Sequence, residues 1–480
     1  MHFLTRWAHS RGTAVAAAGA LTLGLAGYAA PAGASATASS PGGARPPGAV
    51  LPAPAAGTPA LIYKTGRVLD KINQMAECNG RIYAVGSFSE ITQGGTNYSR
   101  SNIFSFQATA PYKVTSWAPQ VNGPINSITF NSNVGCGDAY IGGDFTSVNG
   151  TAATDIAKID TTTGSLVTTF GHSTSGGQVE TLASIGGRIL VGGYFHWING
   201  SGRNPFMVSV SPATGKNDHF LQLNISGHYS YCSHHHRCVQ GKTSSVQNQQ
   251  ISHNGKYDLV EGDFTSVGGL HREQIFMLNL TTSPATVTPW TSPQWDGSNP
   301  SQPYRCVPVE AFYIRSAAWS PDDSTVYIAD TGTHPLNGAV KTGVPRTGLC
   351  DAVAAFPATM GPVTAKWIEY SGCDSYYSVA ADSGAVYAAG HPRWADNPKG
   401  CNHAGPGAVP DRGLQGLNPA NGNVYVRPDG TAVYSMSRAN ASDMLLTGAG
   451  LWIGSSNRFG SQYCGQRPGH SGICFLPYSH

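Results

Sequence analysis

The chain has 480 residues, 11% of them charged and 10% aromatic, with 60 Gly, 31 Pro and a formal net charge of +3. Few charges and many turn-forming glycines fit an all-β chain with tight turns. No basic field is present to draw in nucleic acid or an anionic membrane, and no long stretch carries apolar residues at helical or heptad spacing.

Residues 1–36 read as a secretory signal peptide. Arg6 and Arg11 form a positive start, an apolar run extends from Thr13 to Ala30, and Ala34-Ser35-Ala36 is a small-x-small cleavage site. The run is short and Gly-rich for a spanning helix, so no membrane span is expected after cleavage. Removal of this segment takes away two Arg and no acid, which leaves a charge of +1. Residues 37–59, rich in Pro, Ala, Gly and Ser, read as a flexible lead-in. The 10 cysteines all lie beyond residue 36. An even number in an exported chain favours disulfides over free thiols.

From residue 60 onward the chain repeats. IYAVGSF from Ile82, AYIGGDF from Ala139, ILVGGYF from Ile189 and DLVEGDF from Asp258 are near copies, and weaker ones begin at Val326, Val386 and Leu451. Their fifth residues, Gly86, Gly143, Gly193, Gly262, Asp330, Gly390 and Ser455, lie 50 to 69 residues apart. Each copy follows another short strand and a tight turn, as INSITF from Ile125 and VETLASI from Val179 do. A third strand comes after it, and often a fourth that ends in an aromatic, at Trp117, Phe170, Phe220, Trp290 and Trp367. Four short strands in each of seven units predict a seven-bladed β-propeller over residues 60–480. The seventh unit ends with its third strand, ICFLPYS from Ile473. The strand ALIYKT, residues 60–65, is therefore expected to complete the last blade and close the ring.

The phrase GGDFTSVNG at Gly142, nearly repeated as EGDFTSVGG at Glu261, resembles the secreted bacterial β-propeller repeats of the G-G-x-F-x-x-x-x-G type. That resemblance covers residues 60–480, is strongest in the first four units, and implies a propeller fold and export. It carries no catalytic residues to this chain. Phe145 and its equivalents are expected to pack between blades, and the fifth-position Gly to allow close backbone approach.

In an antiparallel four-stranded blade, the connections from strand two to strand three and from blade to blade lie at one end. The long insertions fall in these two classes, so that end is the expected binding surface. Cysteine positions suggest the pairs Cys232–Cys238, Cys464–Cys474, Cys306–Cys350, Cys373–Cys401 and Cys78–Cys136. Trp295, Tyr304, Trp394 and Tyr463 are candidates to stack on a sugar. Acid–base chemistry is sought at His391 with Arg393 and at His403 with Arg412. A hydrolytic pair is sought among Glu310, Asp374, Asp396 and Asp411. His234 and His236, within a run of three imidazoles, are candidate ligands for a divalent metal. Their spacing matches no metal motif, so no cofactor is predicted.

The leading expectation is a secreted, monomeric extracellular module that binds a glycan or another protein, not nucleic acid. The rival is a secreted carbohydrate-active enzyme, a polysaccharide lyase or glycoside hydrolase, with its site on the same face. A purely structural envelope role is the third.

Overall fold

The described residues all belong to one compact unit, Pro41–His480. The computed structural model describes residues 46–62, 70–131, 133, 135–201, 203, 205–228, 230–232, 238–240, 243–295, 306, 312–332, 348–436, 441–456 and 471–479. The expected signal peptide lies outside these residues. Among them the structure is all-β, apart from a short 3-10 turn at Pro293–Trp295. No described helix is long and apolar enough to cross a membrane.

Among the described residues, seven antiparallel sheets of three or four strands, each built on a copy of the repeated strand, follow one another along the chain, beside smaller sheets in the loops. Their first strands are Lys71–Cys78, Ile125–Asn131, Val179–Ile185, Ser245–Ile251, Ile314–Trp319, Tyr376–Ala381 and Asp443–Thr447. Each pairs with the repeated strand, which pairs in turn with a third. The second strands are largely buried because both faces are covered, even where they carry an acid such as Glu261. Ile82 to Val85 in sheet one and Leu259 to Glu261 in sheet four are buried throughout.

The fourth strand is weaker than its sequence suggests. It forms a ladder at Thr286–Val287 and at Trp367–Tyr370. Four other sheets keep only a single bridge, such as Phe106 to Val114 and Ile159 to Leu166. The aromatic near this strand explains its placement, since it ties one sheet to the next. Trp117 Nε1 donates to Asp160 O at 3.0 Å, Trp290 Nε1 to Pro357 O at 3.0 Å and Trp367 Nε1 to Pro419 O at 2.9 Å.

Seven apolar clusters lie between consecutive sheets. One joins Tyr83 and Val85 of sheet one to Ile128 and Ile141 of sheet two. Another joins Phe104 of sheet one to Trp452 and Phe475 of sheet seven. Phe88, Phe145, Phe195 and Phe264 are all buried, each in a cluster shared with the preceding sheet or, for Phe88, with sheet seven. This is the place the sequence assigned to them. Small sheets that bury both faces against their neighbours, with first strands innermost, are the arrangement of a β-propeller.

The N-terminal segment departs from expectation in two ways. Its described residues 60–62 form no ladder with the last sheet, although Leu61 N donates to Ser471 O at 2.6 Å just before that sheet's third strand. Ala60–Leu61 pairs instead with Glu90–Gln93 of the first unit, with Ala60 opposite Thr92, and residues 63–69 lie outside the described residues. The third strand of sheet seven receives an earlier stretch, where Leu51 N donates to Pro477 O at 2.7 Å and Ala55 N to Phe475 O at 2.9 Å. The described part of the expected flexible lead-in, from residue 46, is therefore packed. Ala49 and Val50 are buried in the cluster between sheets six and seven, and Tyr434 Oη donates to Val50 O at 2.6 Å. Its Pro and Ala content suggested a linker, but these two apolar residues pack into that cluster.

Candidate functional site

The first and second strands break register at one equivalent point in six sheets. The breaks fall between Ile72 and Gln74, Ile125 and Ser127, Val179 and Thr181, Val246 and Asn248, Ile314 and Ser316, and Tyr376 and Ser378. One extra residue in the first strand is a β-bulge, which re-aims side chains and leaves a backbone group unpaired. The extra residues are Asn73, Asn126, Glu180, Gln247, Arg315 and Tyr377. All are polar, and five different side chains occur among the six.

The repeated glycine belongs to this bulge. A Cβ on Gly143 would lie 2.2 Å from Pro124 O, and one on Gly262 would lie 2.1 Å from Ser245 O. In these sheets the bulge brings the first strand against the second, and the missing Cβ of glycine leaves room for that approach. Sheet five carries Asp330 there, buried and accepting from Ala352 N at 3.2 Å.

The residue after the bulge satisfies an N–H of the next sheet. Gln74 Oε1 accepts from Ile128 N at 2.6 Å, Ser127 Oγ from Leu182 N at 2.9 Å and Ser316 Oγ from Val379 N at 3.3 Å. Asp443 of sheet seven does the same for Met75 N of sheet one at 2.7 Å. Gln74 and Asp443 line a central cavity of about 520 Å³ bordered by all seven first strands.

The bulged residues sit at the end of the first strands where the long loops emerge, and several reach across to the neighbouring sheet. Asn73 Nδ2 donates to Ile125 O at 2.9 Å, and Asn126 Nδ2 to Val179 O at 3.0 Å. Gln247 Nε2 reaches Tyr194 Oη at 3.4 Å. The Arg315 guanidinium lies 5.6 Å from the centroid of the Tyr377 ring. Tyr377 Oη and His391 Nδ1 are 3.0 Å apart, and their rings meet edge to face at 4.9 Å.

Lys71, one residue before Ile72, joins this group. Its side chain keeps contact with solvent while protein surrounds it on most sides. Desolvation, and then the charge of Arg315, lower its pKa against the opposing pull of Glu180 and Asp443. Burial pushes the Glu180 carboxyl up to about 7, and the Asp443 carboxyl also to about 7. Burial lowers the pKa of His391 against the pull of Asp374.

The residues singled out from sequence divide sharply. His391 is at this end and in contact with Tyr377. Arg393 is not its partner in an acid–base pair. It makes a bidentate ion pair with Asp374, at 2.8 Å for both Nε–Oδ2 and Nη2–Oδ1, and its guanidinium covers the Trp394 ring at 4.6 Å. That occupies Asp374, Arg393 and one face of Trp394. Asp396 N donates to Glu369 Oε1 at 2.7 Å, burial raises both carboxyls, and Asp411 is fully buried. None of these three acids is an open hydrolytic carboxylate. His403 and Arg412 are exposed with no contact to each other. Trp295 is a core residue, 4.9 Å from both Trp290 and Phe356, and cannot stack on a ligand. An apolar ring flanked by polar loop sequence looked like a platform, but it seals sheet four against sheet five.

Tyr304, Tyr463, Glu310, His234, His236 and Cys464 lie outside the described residues. Among the described residues no group of three His, Cys, Asp or Glu is placed to hold a metal. Cys78–Cys136, Cys306–Cys350 and Cys373–Cys401 are disulfides, as the topology suggested. Cys232 and Cys238 face each other in a two-stranded hairpin, and Cys474 is disulfide-bonded.

The bulge residues, with Lys71, were missed in the sequence. Their signal was present. Ile-Asn-Gln at Ile72, Val-Glu-Thr at Val179, Val-Gln-Asn at Val246 and Ile-Arg-Ser at Ile314 each place two polar residues together where a regular strand would alternate. The exposed Trp197, in a short strand after the second strand of sheet three that pairs with Thr174–Ser175, was missed as well.

No family model and no curated protein matches the chain. Among solved structures it is similar to the WD40 repeats of RRP9, at 9% identity and a TM-score of 0.45, over 89% of this chain and 99% of that one. It is also similar to U3-55K, at 9% identity and a TM-score of 0.44, over 88% of this chain and 99% of that one. The WD40 β-propeller domain of Doa1 gives 9% identity and a TM-score of 0.38, over 88% and 97%. At values this low, the propeller arrangement rests on the strand pairing of this chain itself.

Proposed function

We propose that the chain is a secreted seven-bladed propeller of the bacterial G-G-x-F repeat type, a binding module that recognises a glycan at the loop-rich mouth of its central channel. The ring reading is supported by the Asp443–Met75 hydrogen bond, which repeats between sheets seven and one the contact made by Gln74, Ser127 and Ser316. Export is supported by three disulfides and by the N-terminal sequence.

The observation that carries the binding reading is the set of bulged side chains. The repeat holds its apolar positions and its glycine nearly constant, yet places five different polar side chains at one aimed position. Interblade packing does not call for such variety. Amides, phenols and charged groups together suit the hydroxyls of a sugar. Trp197 offers an exposed ring at the same end.

The Tyr377–His391 pair favours a second reading, a carbohydrate-active enzyme. A phenol and an imidazole in hydrogen-bond contact can move a proton. One incubation with a panel of insoluble polysaccharides and cell walls separates the two. Retention in the pellet without released sugar indicates a binding module. Released fragments indicate an enzyme, with unsaturated ends for a lyase and saturated ends for a hydrolase. Neither signal on any substrate would overturn both.

A further inference from the structure

Val50 is held by its backbone on both sides. Its N–H donates to Tyr387 Oη at 2.8 Å, and its carbonyl accepts from Tyr434 Oη at 2.6 Å. Tyr387 comes from the second strand of sheet six, and Tyr434 from the chain beyond that sheet's third strand. Both rings are buried and meet edge to face at 5.6 Å. The Tyr387 hydroxyl is set to accept, because it donates its own proton to Asp382 Oδ2 at 2.8 Å. Tyr478 Oη donates to the same oxygen at 3.0 Å, and Gly384 N and Ala385 N donate to Oδ1 at 2.8 Å each. Gly384 completes the cradle, since a Cβ there would lie 2.4 Å from Ala49 N.

The same segment then follows the edge of sheet seven. That sheet ends in its third strand, Ile473–Pro477, whose carbonyls at Pro477 and Phe475 accept from Leu51 N and Ala55 N. Pro52 and Pro54, between these two donors, have no N–H to give, so no regular ladder forms. A strand approaching from outside finds no donor at those positions either. Residues 48–55 are thus bound as a peptide ligand is, through backbone atoms, two small apolar side chains and an added sheet edge. The integral strand Tyr257–Asp263 differs, with a ladder on both sides.

We propose that sheets six and seven form a peptide-binding site, which the chain fills in cis with residues 48–55 as a releasable clasp. Its ligand is an extended segment with a small apolar pair followed by Pro-x-Pro. Release bares the Ile473–Pro477 edge, which then accepts the same segment of a second copy. The site is separate from the channel mouth and does not depend on what binds there.

The test is hydrogen exchange of the full chain, read on residues 49–55 and on the strand Tyr257–Asp263, followed by titration with a fluorescein-labelled peptide of residues 46–56. The amides of Val50, Leu51 and Ala55 should be protected, yet exchange about tenfold or more faster than the sheet-four strand, because they open locally. Val50→Asp should abolish their protection and leave sheet four as in the wild type. The labelled peptide should bind Val50→Asp about tenfold or more tightly than the wild type, whose own segment competes at high effective concentration. Adding Tyr434→Phe to Val50→Asp should weaken that binding again. Exchange of the segment in step with sheet four overturns the proposal, since the segment is then an integral part of the ring. Loss of sheet-four protection in Val50→Asp overturns it for the same reason. So do unprotected amides in the wild type, equal peptide binding by the wild type and Val50→Asp, binding by neither, or equal binding of a scrambled peptide.

Discussion

Asp443 Oδ2 accepts a hydrogen bond from the backbone N–H of Met75 at 2.7 Å, across 368 positions of sequence. Met75 is buried, and the Asp443 carboxylate is the acceptor for its N–H. Asp443→Ala should therefore lower stability by about 1–3 kcal/mol, the usual effect of orphaning a buried donor. Asp443→Asn keeps an acceptor oxygen and should recover most of the loss. Urea unfolding of the three proteins checks this. Equal stability of Ala and Asn would mean that the contact between sheets seven and one carries no weight.

Glycine at the bulge makes a second case. Gly143→Ala puts a methyl 2.2 Å from Pro124 O. The backbone must shift, and overpacking of this kind lowers stability by about 1–3 kcal/mol. Gly137, beside which a Cβ meets nothing within 4 Å and whose φ is not positive, is the control. Gly137→Ala should be near neutral in the same denaturation experiment, and similar losses at both sites would contradict the steric account.

The glycines, the apolar strands and the interblade Phe were legible in the sequence because each obeys a short rule repeated many times. The channel mouth was not. Its residues come one from each repeat, at a position where variety hides the pattern. Paired polar residues marked the spot in each repeat, but the register break is what makes Asn73, Glu180 and Arg315 equivalent. Loop aromatics drew attention instead, and Trp295 demonstrates why composition misleads, since a Trp beside polar loop residues can still face inward. The start of the fold was misplaced for a similar reason. Ala49 and Val50 are too few to stand out in a Pro-rich segment.

Trp295→Ala should accordingly reduce stability by about 3–5 kcal/mol, as for a buried aromatic replaced by a small residue. Glycan retention by the fraction that remains folded should be unchanged. Wild-type melting with lost retention would restore Trp295 as a stacking platform.

Stability should fall as pH rises through neutrality. Burial holds the carboxyl of Asp155 at about 6, those of Glu180 and Asp443 at about 7, and that of Glu261 at about 8. In the unfolded chain such groups titrate near pH ~4. Between pH ~4 and ~8 the native state thus binds more protons than the unfolded one, and its stability declines with rising pH. Asp322, drawn down to about 2 by the hydroxyls of Ser320 and Ser324, contributes in the other sense only below pH ~4. Calorimetry should find a higher melting temperature at pH 5 than at pH 8, with a shallower decline in Glu261→Gln. A melting temperature that rises over this range would contradict the assignment.

The central claim is that ligand is held at the bulged end of the channel. The most direct measurement compares retention on the polysaccharide panel for the wild type, for the Gln247→Leu/Tyr377→Phe double variant at the mouth, and for Glu77→Gln at the opposite end of the same channel. The account predicts that the double variant loses retention while melting like the wild type, and that Glu77→Gln binds normally. Full retention by the double variant, or equal loss in Glu77→Gln, would place the binding surface elsewhere.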